Sequence, residues 1–202
     1  MIDFNIYSLL IIFISISFGF IMAYWRFRGK IASLKNLAFS DDLGIYNHRE
    51  LKSKLKSLIK NPSVNSFVFV LIDIDRFKNY NDHYGYDKAD VLLQQFVNIT
   101  KGFIRKSDML FRYKNGDEFV IIFNNIGINE AKEVGNRLRR VIAYHPFKLN
   151  DKNVSITVSM GITSSFKNDN PDNIRKRAEE ALQEAKQSKN TVVLIEEFRN
   201  AV

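Results

Sequence analysis

No cysteine occurs among the 202 residues. Disulfides and Cys-ligated metal sites are therefore excluded, which fits a reducing compartment. Histidine is scarce as well. His48, His83 and His145 show no metal-ligand spacing and read as surface or packing residues. The chain has no internal repeat and no low-complexity segment, so neither a solenoid nor a long disordered tract is expected. No basic run with interleaved aromatics stands out, and nucleic acid is not expected as a partner. Between Phe4 and Trp25 there is no charged side chain.

That uncharged stretch is the longest apolar run. At ~1.5 Å per residue it is long enough to cross a ~30 Å hydrocarbon core. Tyr7, Tyr24 and Trp25 sit near its ends, as interfacial aromatics do. A cleaved signal peptide fits less well: only Asp3 stands where a basic region belongs, and no small-x-small cleavage site follows. Arg26, Arg28 and Lys30 come after the run, so the positive-inside rule puts the N-terminus outside and the rest in the cytoplasm. No external sensor domain is expected on this chain. The expected organisation is a transmembrane helix at 1–25, a linker helix at 26–40 and a globular domain at 41–202. Ile31, Leu34 and Ala38 share one face of the linker, with Leu37 beside them. That face reads as a dimer seam or as a helix packed on its own domain, and is too short for a convincing coiled coil. Lysine and arginine exceed aspartate and glutamate by 30 to 22, a formal charge of +8. Such a balance suits anionic partners, a nucleotide or an anionic lipid surface.

Two acidic points organise the globular part. The first ends the apolar run Phe67-Val68-Phe69-Val70-Leu71-Ile72 with Asp73, Ile74 and Asp75. The second is Asn115-Gly116-Asp117-Glu118, set between two apolar segments at 110–113 and 119–123. Short β-branched and aromatic runs read as buried strands, and Asn-Gly between them is a strong hairpin signal. If the strand end and the hairpin tip are neighbours, three or four carboxylates converge. Hard oxygen ligands of that kind bind Mg²⁺, which usually brings phosphates. Each cluster also has a plainer reading. An Asp at a strand end can cap the next helix, and Asp-Glu beside a turn can simply be solvated.

Helical periodicity marks residues 50–60, 88–104, 129–143 and 172–186. Their inward stripes are Leu51, Leu55, Leu58 and Ile59; Val91, Leu92, Gln95, Phe96 and Ile99; Val134, Leu138, Val141 and Ile142; Ile174, Ala178, Ala181, Leu182 and Ala185. Strands are expected at 67–74, across the hairpin, at 154–163 and at 191–195. After the first helix the order is strand, helix, hairpin, helix, strand, helix, strand. That order makes an α/β or α+β sandwich of a mixed sheet with flanking helices.

The stretch Asp73-Ile74-Asp75-Arg76-Phe77-Lys78-Asn79-Tyr80-Asn81-Asp82-His83-Tyr84-Gly85 resembles the Asp-x-Asp-x-Phe-Lys-x-x-Asn-Asp-x-x-Gly signature of GGDEF-domain diguanylate cyclases. Asn115-Gly116-Asp117-Glu118-Phe119 resembles the motif that names the family. The resemblance runs from about residue 37 to about 195. It implies a palm-like, ferredoxin-related sheet with a β-hairpin active-site turn, and two GTP molecules condensed into cyclic di-GMP by a homodimer, with Mg²⁺ or Mn²⁺ as cofactor. It also implies a bacterial inner membrane as the place where the predicted anchor sits. By motif match, Asp73 and Ile74 join Asp117 and Glu118 as metal ligands, and Asp117 and Glu118 are the catalytic pair. Phe77, Lys78, Lys186 and Lys189 fall at phosphate-binding positions; Asn81 and Asp90 fall where guanine is read. Arg105 and Asp108 match an Arg-x-x-Asp product-inhibition site. Each has a structural alternative: a turn residue for Asn81, a helix-dipole charge for Asp90, surface lysines for Lys186 and Lys189, and a local ion pair for Arg105 with Asp108.

The match has departures. Asn115 stands for the first Gly of the name motif, and one residue, placed at Lys114, is extra before Gly116. Tyr86 stands for a His and Ala89 for a Gly. The Thr expected after Leu43 is missing, as is a Gly after Lys186. All three acids are kept. A catalytically silent module that binds GTP or cyclic di-GMP and signals to a membrane partner is the alternative reading.

Overall fold

A computed structural model describes residues 6–39, 41–61, 66–114, 116–149 and 151–196, with side chains of the first helix described at 11 and 13–28. The chain forms two compact units, Met1–Ser40 and Asp41–Val202.

The first unit is one continuous helix, α1, Ile6–Phe39. Expected span and linker are thus a single element. Ile11, Phe13, Phe18, Phe20, Trp25 and Phe27 are all exposed on it. Among the described residues no helix is long and apolar enough to cross a membrane. The expected transmembrane segment, and the outside-to-cytoplasm orientation built on it, are therefore not supported. The linker side chains Ile31, Leu34, Leu37 and Ala38 lie outside the described residues.

The second unit is built on β1, Phe67–Ile74, whose eight residues are all buried. A strand buried on both faces needs apolar side chains throughout, which is why this run does not alternate. It pairs antiparallel with β3, Glu118–Asn124, and with β6, Val158–Ser164. β2, Met109–Tyr113, extends the sheet beyond β3, and β7, Val192–Leu194, runs parallel to β6. The order is β2-β3-β1-β6-β7. The mixed sheet with flanking helices is the expected architecture.

Residue parity along β1 divides the core. Val68, Val70 and Ile72 pack with Leu92 and Phe96 of α4, Tyr86–Phe103, and with Leu138 and Ile142 of α5, Ile128–Tyr144. Phe67, Phe69 and Leu71 pack with Leu51 and Leu55 of α2, His48–Lys60, and with Ile174 and Leu182 of α6, Pro171–Ser188. Asp73 belongs to this second parity. α6 lies so close to β6 that a Cβ on Gly161 would sit 2.3 Å from the Ala178 carbonyl oxygen. Asn47 caps α2 and Asn170 caps α6, each through its side-chain oxygen.

Several expectations shift. A short helix not foreseen, α3, occupies Phe77–Tyr84. The strand expected over 154–163 is broken into β5, Lys152–Val154, and β6, and β5 pairs with an unforeseen β4, Phe147–Leu149. Val91 and Val141, expected inward, are 49% and 42% exposed. Both lie at the edge of the apolar stripe, where a period count cannot separate rim from core.

Candidate active site at the end of the central strand

Asp73 and Glu118 are direct cross-strand partners of β1 and β3. The Ile74 amide donates to the Asp117 carbonyl at 3.3 Å, one step beyond the ladder. The sheet therefore brings the two acidic points together, as expected. The extra residue lies in the turn: Lys114 has φ +54, and the strands stay in register at Tyr113 opposite Glu118. Asn115 itself lies outside the described residues.

Asp73 is almost fully buried, and its carboxyl is pushed up to about 6. Burial is the main cause. Lys186 pulls the value down, and the charges of Asp117 and Glu118 push it up. Lys186 Nζ lies 2.5 Å from Asp73 Oδ2. Among the described residues no group of three His, Cys, Asp or Glu side chains stands ready to hold a metal ion. The expected convergence is thus a facing pair, Asp73 with Glu118, plus the charge of Asp117. This donor set suits Mg²⁺, which takes one or two carboxylates and keeps water or phosphate oxygens for the rest.

The neighbouring acid is spent on structure. Asp75 accepts from Thr157 Oγ1 at 2.6 Å, Ser159 Oγ at 2.7 Å and the Asn190 amide at 2.9 Å. It locks the end of β1 to β6 and to the turn after α6. Arg112 is a second anchor that the sequence reading did not single out. Its Nε donates to the Gly116 carbonyl at 3.0 Å and its NH1 contacts both Asp41 oxygens at 3.1 and 3.3 Å. Only the pairing of an early Asp with a hairpin Arg could have hinted at this, and no local pattern links positions 71 residues apart.

The remaining candidates are spread around this point. Phe77 buries its ring in the core, leaving its backbone as the available part. Arg76, left-handed at φ +58, starts α3 without a side-chain cap. Lys78 is exposed. Gly85, at φ +82, closes α3 and opens α4, with Asn81 one turn before it and Asp90 about one turn after. Lys189 caps α6 at φ +55 and lines a cavity of about 700 Å³ with Asp75, Arg76, Tyr80, His83, Tyr84 and Thr157. Arg105 and Asp108 do not pair through their side chains. Asp108 accepts the Arg105 amide at 2.9 Å, while the Arg105 guanidinium meets Glu130 at 3.4 Å.

The family model for the diguanylate cyclase GGDEF domain matches residues 38–191. The chain belongs to the GGDEF diguanylate cyclase family. It is 35% identical over 127 residues to diguanylate cyclase A of Treponema denticola, covering 62% of this chain and 34% of that protein. It is 33% identical over 173 residues to the response regulator PleD of Caulobacter vibrioides, covering 82% and 38%. The chain thus spans little more than a third of the length of these relatives. In fold it matches the coiled coil and GGDEF domain of DgcB from Caulobacter crescentus, solved with c-di-GMP, at a TM-score of 0.81 and 20% identity, over 92% of this chain and 99% of that one.

Proposed function

We propose that the chain is a diguanylate cyclase that condenses two GTP molecules into cyclic di-GMP, one GTP held by each of two copies. The observation that carries the reading is Asp73 facing Glu118 in strand register, with its carboxyl raised to about 6 beside two further acids. Buried carboxylates that repel one another are relieved by a cation. Asp73, the Ile74 carbonyl, Asp117 and Glu118 are the groups that would hold Mg²⁺ or Mn²⁺, which would neutralise triphosphate charge when bound.

The chain's own residues supply the rest. Lys186 turns from Asp73 to a phosphate, and the open backbone at the start of α3 offers amides to the same group. Lys78 stands nearby, and Lys189 serves only if its turn faces the nucleotide. Asp90 accepts from guanine N1–H and the 2-amino group, and Asn81 takes the remaining edge. Glu118 or Asp117 removes the proton of a 3′-hydroxyl as its oxygen attacks the α-phosphorus held by the other copy. The bond to pyrophosphate breaks; two such transfers close the ring and release two pyrophosphates. Arg105 and Asp108 are proposed to bind product, Arg105 by leaving Glu130 for a phosphate. Nothing in this reading requires a membrane.

A second reading is favoured by the Lys186–Asp73 pair and by the added Lys114. If Lys186 holds Asp73 permanently, the domain is a silent module that binds GTP or cyclic di-GMP. The deciding experiment incubates the full chain with GTP and Mg²⁺ and follows cyclic di-GMP by chromatography and mass. Product supports the cyclase. Bound guanine nucleotide with no product supports the module.

A further inference from the structure

We propose that the groove between α2 and the N-terminal half of α6 binds a soluble phosphorylated small molecule of nucleotide type. The groove encloses about 490 Å³, within the usual range for small-ligand sites. Leu51, Leu55 and Phe69 line its apolar floor. His48, Lys52 and Lys56 line one wall, at successive i, i+4 positions of α2. Lys114 and Arg175 are also among its lining residues.

Basic groups repeated at i, i+4 repel one another on an isolated helix. Lys52 and Lys56 have no ion pair among the described residues. The acids nearby, among them the lining residue Asp172, are paired with the other two cations of the groove. Asp172 and Glu179 hold Arg175 at 3.2 and 3.4 Å, and Glu118 stands 4.0 Å from Lys114. Lys52 and Lys56 therefore bring positive charge over an apolar floor with no acid paired to them among the described residues. A phosphate answers the charge.

The exposed imidazole of His48 is the ring that a planar body behind that phosphate would meet, since Tyr113 beside it is buried. His48 meets Tyr113 edge-on, with ring centroids 5.2 Å apart. Lys114 lies over the Tyr113 ring at 4.8 Å. Partial burial, and then the charges of Lys114, Lys52 and Arg175, lower the His48 pKa. An anion seated among these groups removes that repulsion and lets His48 take a proton. Arg175 and Lys186 are about 16 Å apart along α6 at ~1.5 Å per residue, while Lys114, 4.0 Å from Glu118, joins the edge of the groove to the hairpin acids. The proposal stands whether or not the chain makes cyclic di-GMP.

The test follows the His48 ring signal of the full chain by NMR, without divalent metal, during titration with ATP and with inorganic pyrophosphate. Both probes are expected to move the signal saturably and to raise its titration midpoint, with ATP the tighter. A Lys52→Ala, Lys56→Ala double variant changes two exposed positions, and an unchanged spectrum elsewhere verifies its fold. It is expected to bind ATP about tenfold or more weakly. An unmoved His48 signal at ~10 mM probe overturns the proposal. So does a double variant that binds like the parent. Shifts confined to signals around Lys186 and Asn81 place the probe in the other site and overturn it too. Stronger response to anionic phosphatidylglycerol vesicles than to ATP assigns the groove to a lipid surface and overturns the soluble ligand.

Discussion

Lys186 holds its Nζ 2.5 Å from Oδ2 of Asp73, a residue 113 positions earlier in the chain. The pair is unequal, since the lysine side chain is 44% exposed and the aspartate 9%. Burial outweighs the lysine, and the Asp73 carboxyl rises from 3.8 to about 6. An acid raised in the folded state binds its proton more tightly when folded. Its contribution is fully present below about pH 4 and is lost as pH rises through about 6. Asp73→Asn is therefore expected to stabilise the chain at pH 8 by about 2–3 kcal/mol, and to add little at pH 4. Urea unfolding at the two pH values measures this. Equal stabilisation at both would show that burial of the charge is not the cause.

Glu118→Gln and Asp117→Asn test the hairpin acids. Both positions are half-buried, at the turn and the first residue of β3. Each variant is expected to fold within about 0.5 kcal/mol of the parent. Cyclic di-GMP formation should fall by at least about 100-fold. Turnover like the parent's in both would remove these acids from the proposed chemistry.

Arg112→Lys keeps the charge and loses the fork that serves Asp41 and the Gly116 carbonyl together. The ion pair is 13% and 14% exposed, so its loss is expected to cost about 1–3 kcal/mol. A loosened hairpin misplaces the acids rather than removing them. The turnover number should drop more than the Michaelis constant for GTP changes. The reverse pattern would mean that Arg112 acts on nucleotide binding.

Gly161→Ala probes the packing of α6 on β6. The added Cβ would meet Ala178 O at 2.3 Å and Leu182 N at 2.4 Å, both backbone atoms. Helix and sheet must separate, at a cost of about 1–3 kcal/mol or more. Because α6 carries Lys186, nucleotide-dependent stabilisation should shrink as well. A thermal melt with and without GTP reads both effects.

The sequence was most informative where one residue type dominates a short span. Eight buried residues, six of them β-branched or aromatic, define β1 to the residue, and the facing of Asp73 and Glu118 followed from the family resemblance rather than from the strand end and the hairpin alone. Short elements escaped, because α3 is only 8 residues and β4 and β5 are 3 each. Such pieces carry too few periods to announce themselves. The membrane reading rested on hydropathy, end aromatics and flanking charge, and no helix among the described residues is long and apolar enough to bear it out. The work of Asp75 and Arg112 was invisible for another reason: their partners lie 82 and 71 residues away along the chain. Among the described residues the three carboxylates do not gather into one metal-ready cluster, although Asp117 and Glu118 both act on Asp73 through their charge.

The lock at Asp75 also has a consequence for the order of biosynthesis. Its partners are at 157, 159 and 190, and those of Asp73 are at 118, 159 and 186. A growing chain that has reached the end of β6 already carries every acid of the site, yet lacks the lysine and the amide that hold them. The face of β6 at Gly161, on which α6 packs, is then uncovered. Domains of this size gain their long-range order only when such distant pieces arrive. The last turn of α6 and the turn that follows it to Asn190 thus complete the assembly, and a ribosome stalled before residue 186 bears a sheet without a working end.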